Sequence, residues 1–232
     1  FLGQVLAAQD SKTAPAPQVS DCRRVQNIKA PERDESSKDV ELAYFFWYGC
    51  ATCAAIDEKV SAMAASLPEG ITFKRLPAAF LGNQELTSHA KLFWALESLG
   101  QEGRLHSKIF SAVLPGGSQG PVQLVSPASQ EAFAAANQIP AKDFTAALES
   151  FYVRKMLAKT YDYLNGIELD SVPTFVVNGM YRVTIDPSHT EDTFINVAYQ
   201  LAVDVLKAQE AAPPEAPAAE PPAPASPAAP VV

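Results

Sequence analysis

The sequence predicts a mixed α/β fold made of two halves with a long helical block between them. Three observations carry this. The aromatic run Tyr44-Phe45-Phe46-Trp47-Tyr48 reads as a buried strand, and after Gly49 a helical pattern opens at once with Cys50-Ala51-Thr52-Cys53. From Asn83 to about residue 165, helical periodicity dominates. The strand signal then returns in Val172-Pro173-Thr174-Phe175-Val176-Val177, followed by Asn178-Gly179, a hairpin-turn pair.

Taken in order, residues 1–39 are a polar, Pro-punctuated N-terminal segment with a short strand expected near Val25. Val40 to Tyr48 is the first strand, and Cys50 to about Ser66 the first helix, with Ile56, Val60 and Met63 at helical spacing. Leu67-Pro68-Glu69-Gly70 is a turn, and Ile71 to Leu76 is a second strand. A helix crosses between these two strands, so they run parallel. Helices are expected over 84–99, 103–113, 127–136 and 141–164, with Ser126-Pro127 and Ile139-Pro140 as entry signals. Tyr181 to Ile185 pairs back after the turn, and Thr190 to Lys207 is a closing helix with Phe194, Val197, Ala198, Leu201 and Val205 on its apolar side. One domain then comprises 40–82 and 166–208, with 83–165 as an inserted helical subdomain. Residues 209–232 form a disordered tail that is almost all Pro, Ala and Glu and cannot bury enough apolar surface to fold.

The two cysteines sit on the first turn of a helix, just past a strand. Positions i and i+3 share a helix face, so the sulfurs can meet in a disulfide. The helix N-terminus, with its partial positive charge and unpaired N–H groups, favours a thiolate at Cys50. A metal site is the alternative, but zinc needs about four ligands. Only Cys22 and three histidines remain, His89, His106 and His189, none at ligand spacing. An inert structural disulfide is the other plain reading. Cys22 reads as a free thiol or an intermolecular partner, His89 and His106 as surface residues, and Phe93, Trp94, Leu96 and Leu99 as packing of the helical block.

The bulk composition narrows the partners. A net charge of −8 argues against a nucleic-acid surface and an anionic membrane surface. No apolar run reaches the roughly 18 residues of a membrane span. Phe1 to Ala8 fits the end of a signal peptide, with small residues at Ala7 and Ala8 suiting a cleavage site, or an ordinary N-terminal segment.

Phe45-Phe46-Trp47-Tyr48-Gly49-Cys50, a cysteine three later, the helical block and Val172-Pro173-Thr174-Phe175-Val176-Val177-Asn178-Gly179 together resemble the DsbA-type thiol:disulfide oxidoreductases, which are periplasmic thioredoxin-fold oxidases. The resemblance runs from about Val40 to Lys207. It implies a thioredoxin fold with a helical insertion, and it implies Cys50 as the exposed attacking cysteine and Cys53 as the buried resolving one. By the same resemblance Pro173 is a cis-proline facing the active-site disulfide, leaving the Val172 backbone to pair with a bound peptide as in strand addition. Asp57, one turn after Cys53, matches an acidic position and is a candidate proton relay; Arg75 matches a basic position that pairs with it. The implied partners are unfolded or reduced exported proteins and a DsbB-like membrane redox partner in the periplasm, with no metal, no organic cofactor and no nucleic acid.

The sequence also departs from that pattern. The usual oxidase has Pro-His between its cysteines, and Ala51-Thr52 stand there instead. Without that histidine the Cys50 thiolate is expected to be less stabilised and the protein less oxidising, each 30 mV being about 1.4 kcal/mol. Tyr44 likewise stands where an acidic residue is common. Two rivals remain: a reductase or isomerase of the same fold, although no added dimerisation domain is visible and a monomer is expected; and a non-catalytic peptide-binding chaperone or adaptor.

Overall fold

In the computed structural model, residues 25–28, 38–80, 82–116, 122–185 and 190–211 are described. They form a five-stranded mixed sheet with seven helices. The strands are β1 (Val25–Asn27), β2 (Val40–Phe46), β3 (Ile71–Pro77), β4 (Thr174–Val177) and β5 (Tyr181–Thr184), in the spatial order β1-β5-β4-β2-β3. Only β2 and β3 run parallel, joined by helix α1 (Ala51–Ala65); the other pairs are antiparallel. Between β3 and β4 the chain makes α2 (Gln84–Ser98), α3 (Glu102–Val113), α4 (Pro127–Ala136), α5 (Ala141–Leu148) and α6 (Phe151–Gly166). The closing helix is α7 (Glu191–Ala211).

Strand β2 is apolar without alternation because both of its faces are covered. Leu42, Tyr44 and Phe46 face a core shared with Ile56 and Val60 of α1, Phe194 and Leu201 of α7, and Phe93 and Phe110 of α2 and α3. Ala43 and Phe45 face the other way, against Tyr163 and Leu164 of α6. The register then places the site. Phe45 lies opposite Thr174, the first residue of β4, so the antiparallel pairing brings Val172 and Pro173 to the end of β2 where Cys50 follows.

Local chemistry explains most boundaries. Asn83, Ser126 and Ser150 each cap a helix by accepting a backbone N–H three residues on, and Pro127 sits in the first turn of α4. Gly100, at φ +67°, ends α2 and lets Gln101 N–H close on Leu96 O at 2.8 Å. Asn178 and Gly179 both have positive φ, as the tight hairpin turn requires.

Several expectations change. The helix expected over 141–164 is two, α5 and α6, broken at Glu149–Ser150. Ser150 Oγ accepts the Val153 N–H at 3.2 Å and starts a new helix instead of continuing the old one. The first strand stops at Phe46, two residues early, as the chain turns through Trp47 to the Cys50 cap. Helix α7 continues to Ala211, so residues 209–211 belong to a helix and not to the tail. The short strand expected near Val25 is β1, paired with β5. Phe1–Ala8, Cys22, His189 and the Pro/Ala segment from residue 212 lie outside the described residues. Among the described residues, no helix is long and apolar enough to cross a membrane.

Candidate active site

Cys50 is the N-cap of α1. Its backbone is extended (φ −91°, ψ 110°), and its Sγ accepts the Cys53 N–H at 3.1 Å. An N-cap side chain normally satisfies one of the unpaired donors of the first turn, and here a sulfur holds that place. A thiolate at Cys50 would meet those N–H groups and the positive end of the helix. Cys50 and Cys53 are joined in a disulfide, with Cα atoms 5.2 Å apart. Cys53 is wholly buried and Cys50 only partly, so Cys50 is the sulfur of the pair that is open to solvent. Between them, Ala51 and Thr52 are exposed.

The approach to Cys50 is built by two segments. Gly49 precedes it with the Trp47 indole against its Cα, and a Cβ there would fall 2.4 Å from the ring. The carbonyl oxygen of Val172 lies 3.8 Å from Cys50 Sγ. The Val172–Pro173 bond is cis, and Val172 stands before the first residue of β4, outside the ladder.

Below the disulfide lies a buried polar cluster. Asp57 is 4% exposed and accepts a hydrogen bond from Ser107 Oγ at 2.8 Å. Its other oxygen is 3.1 Å from His106 Nε2. His106 Nδ1 is in turn 3.1 Å from Glu102 and 2.9 Å from the Tyr48 hydroxyl. Burial alone would raise the Asp57 carboxyl, but its contacts with His106 and Ser107 and the charge of Arg75 outweigh it, leaving Asp57 below its ordinary range. Burial would likewise lower His106, and its contacts with Asp57 and Glu102 outweigh that and raise it. Each contact thus favours the charged form of its partner, the carboxylate of Asp57 and the imidazolium of His106. A cleft of about 520 Å³ lined by Ala51, Ala54, Asp57 and Ser107 opens beside them, between α1 and α3.

Two expectations fail here. Arg75 does not pair with Asp57. Its Nη2 donates to Ser61 Oγ at 2.7 Å, and its guanidinium lies over the Phe73 ring, 5.4 Å from the centroid. Ser61 intercepts it because Ser61 lies one turn beyond Asp57 on α1 and bonds back to the Asp57 carbonyl. The carboxylate is instead taken by α3. His89 and His106 are not surface residues either, at 1% and 3% exposure. His89 Nδ1 accepts from Trp47 Nε1 at 2.9 Å, which makes its Nε2 the donor to the Gln123 carbonyl at 2.8 Å. Its neutral form is favoured, burial being the main cause. The missed signal was periodicity: His106 precedes Phe110 and Val113 by four and seven residues, and His89 precedes Phe93 and Leu96 in the same way. Both lie on the apolar stripe of their helices. Phe93, Trp94 and Leu96 are buried packing.

Fold and site together define a thioredoxin-fold disulfide oxidoreductase with a helical insertion. The thiol:disulfide interchange protein DsbA of Azotobacter vinelandii is 32% identical over 170 residues, 73% of this chain and 77% of that protein. DsbA of Burkholderia cepacia is 31% identical over 186 residues, 80% of this chain and 84% of its own. The crystal structure of Pseudomonas aeruginosa DsbA superposes with a TM-score of 0.69 at 26% identity, over 80% of this chain and 94% of that one. No protein-family model matches. The chain belongs to the DsbA family, and it is a protein disulfide oxidoreductase.

Proposed function

We propose that this protein introduces disulfides into exported proteins in the periplasm by exchange through Cys50 and Cys53. The carrying observation is the disulfide itself, partly exposed at Cys50 on a helix N-cap and 3.8 Å from the Val172 carbonyl. A client thiolate attacks Cys50 Sγ, the Cys50–Cys53 bond breaks, and Cys53 leaves with the electron pair and takes up a proton. A second client thiolate attacks the client sulfur of the mixed disulfide, and Cys50 leaves as a thiolate. The client has lost two electrons, and both cysteines are reduced. A DsbB-like membrane partner then accepts the electrons. Val172 and Pro173 hold the client backbone beside Cys50 by strand addition. Asp57 serves as the proton route to Cys53, one turn away. Arg75 tunes Asp57 through its field, since its hydrogen bond goes to Ser61. No cofactor takes part in this chemistry.

The test is oxidation of a reduced, unfolded secreted protein by the oxidised chain. Cys50→Ser should abolish it, and so should Cys53→Ser, which has no disulfide to exchange; offered a client that already carries a disulfide, the lone Cys50 thiolate of Cys53→Ser should attack it and hold the mixed disulfide. An unaltered phenotype of the exporting cell with Cys50→Ser would falsify the reading and favour a peptide-binding chaperone. The exposed Ala51-Thr52 pair, which offers no imidazole to the thiolate, favours a second reading as a weak oxidant or reductase. The redox state of the pair in the exporting cell separates the two: mostly oxidised for the oxidase, mostly reduced for the reductase.

A further inference from the structure

His106 stands between two carboxylates in the seam of α1 and α3, inside a wall of aromatic rings. The rings of Phe46, Phe110 and Phe93 lie 4.9, 5.3 and 6.4 Å from its own. The titratable and charged groups that face it are Asp57 from α1, Glu102 from its own helix, Tyr48 from the β2–α1 connection and, at longer range, Arg75 from β3. Helix α2 contributes the Phe93 ring. A buried carboxylate, Asp57, with the half-buried Glu102 on the other side of the ring, favours a cation between them, because an uncompensated buried charge is costly. Asp57 shares a helix face with Cys53, one turn on. Its negative charge opposes a thiolate at Cys50 unless something offsets it.

We propose that His106 is a positioning residue of thiol–disulfide exchange: an imidazolium from the helical insertion that clamps Asp57 and offsets its charge beneath Cys53, so stabilising the Cys50 thiolate and making the pair more oxidising. The proposal rests on the reading of Cys50–Cys53 as the exchanging pair. It adds a residue of the insertion to a site otherwise built by β2, α1 and the Val172–Pro173 segment. The size follows from Coulomb's law. One unit charge about 10 Å away at an effective dielectric of about 20 changes an equilibrium on the order of tenfold.

The experiment compares wild type with His106→Gln in glutathione redox buffers at pH 7. Glutamine keeps an amide donor for Asp57 but carries no charge. The equilibrium should shift about tenfold toward the oxidised protein, a potential lower by about 30 mV. Asp57→Asn added to His106→Gln should recover most of that shift, because no carboxylate is left to offset. Linkage supplies a readout that needs no variant: if the imidazolium favours the thiolate, the His106 ring must titrate at higher pH in the reduced wild-type protein than in the oxidised one, as followed by NMR. A folded His106→Gln protein with wild-type potential would overturn the proposal, and so would a His106 titration that ignores the redox state. If His106→Gln does not fold, the wild-type titration alone decides. A wild-type pair that never equilibrates with glutathione would instead overturn the exchange reading, and this proposal with it.

Discussion

At the scale of single residues, the chemistry of this site is set by what surrounds one sulfur. Cys50 is partly exposed, while Cys53, one turn deeper, is sealed from solvent. The two residues between them are the simplest lever on potential, because they are exposed. Thr52→His would place an imidazolium within reach of the thiolate. It should move the glutathione equilibrium tenfold or more toward the reduced protein, about 30 mV or more toward the oxidising side. A potential unchanged from wild type would show that the position between the cysteines does not govern Cys50. Gly49 is constrained for a different reason. Gly49→Ala would push the new methyl into the Trp47 indole, costing about 1–3 kcal/mol as overpacking does. Chemical denaturation would show it as a lower midpoint with an unchanged slope.

At the scale of elements, helices of the insertion reach into the site of the sheet. Helix α2 sends His89 to the Trp47 indole, and α3 sends His106 and Ser107 to Asp57. The first of these holds the indole against Gly49. His89→Phe would leave Trp47 Nε1 without its acceptor, at a cost of about 1–3 kcal/mol. Its effect should appear both in the unfolding midpoint and as a shift in Trp47 emission. A variant with neither change would mean that the indole is held by packing alone. The α1–α3 seam differs because its contacts are charged, so it responds to pH.

At the scale of the whole molecule, the two buried histidines pull stability in opposite directions. The folded-state value of His106 is raised, so its contribution is full below its unfolded value near 6.5 and is lost as pH rises through the folded value. Asp57 is lowered, so its contribution is present above about 4 and is lost as pH falls through its folded value. The Asp57–His106 clamp is therefore complete between about pH 4 and 6.5. His89 is lowered too, and its stabilisation is present above about 6.5 and is lost on acidification. The difference in melting temperature between wild type and His106→Gln should be widest between about pH 4 and 6.5 and narrow toward pH 9. A difference that grows with alkalinity would contradict the charge assignment of the pair.

Much of this was legible in the chain. The apolar run of β2, the Cys50-to-Cys53 spacing and the Asn178–Gly179 turn are local patterns, because strand burial, helix geometry and turn conformation are decided within a few residues. Helix caps are local as well, and Ser150 was a cap signal read as helix interior. What lies beside Cys50 was less local. The β2–β4 register, not any spacing along the chain, brings Val172 to Cys50 across 122 positions. The partner of Asp57 was beyond the sequence altogether. Arg75, on the adjacent strand, had a nearby hydroxyl to satisfy it, while the packing of α3 on α1 brought His106 from 49 positions away (106 − 57) into the carboxylate. The sequence by itself determined the strand, the helix and the two thiols on its first turn, for those depend on neighbours in the chain. Only the tertiary structure decided which charge stands beneath them, because ion pairing in a buried seam depends on which helix packs there.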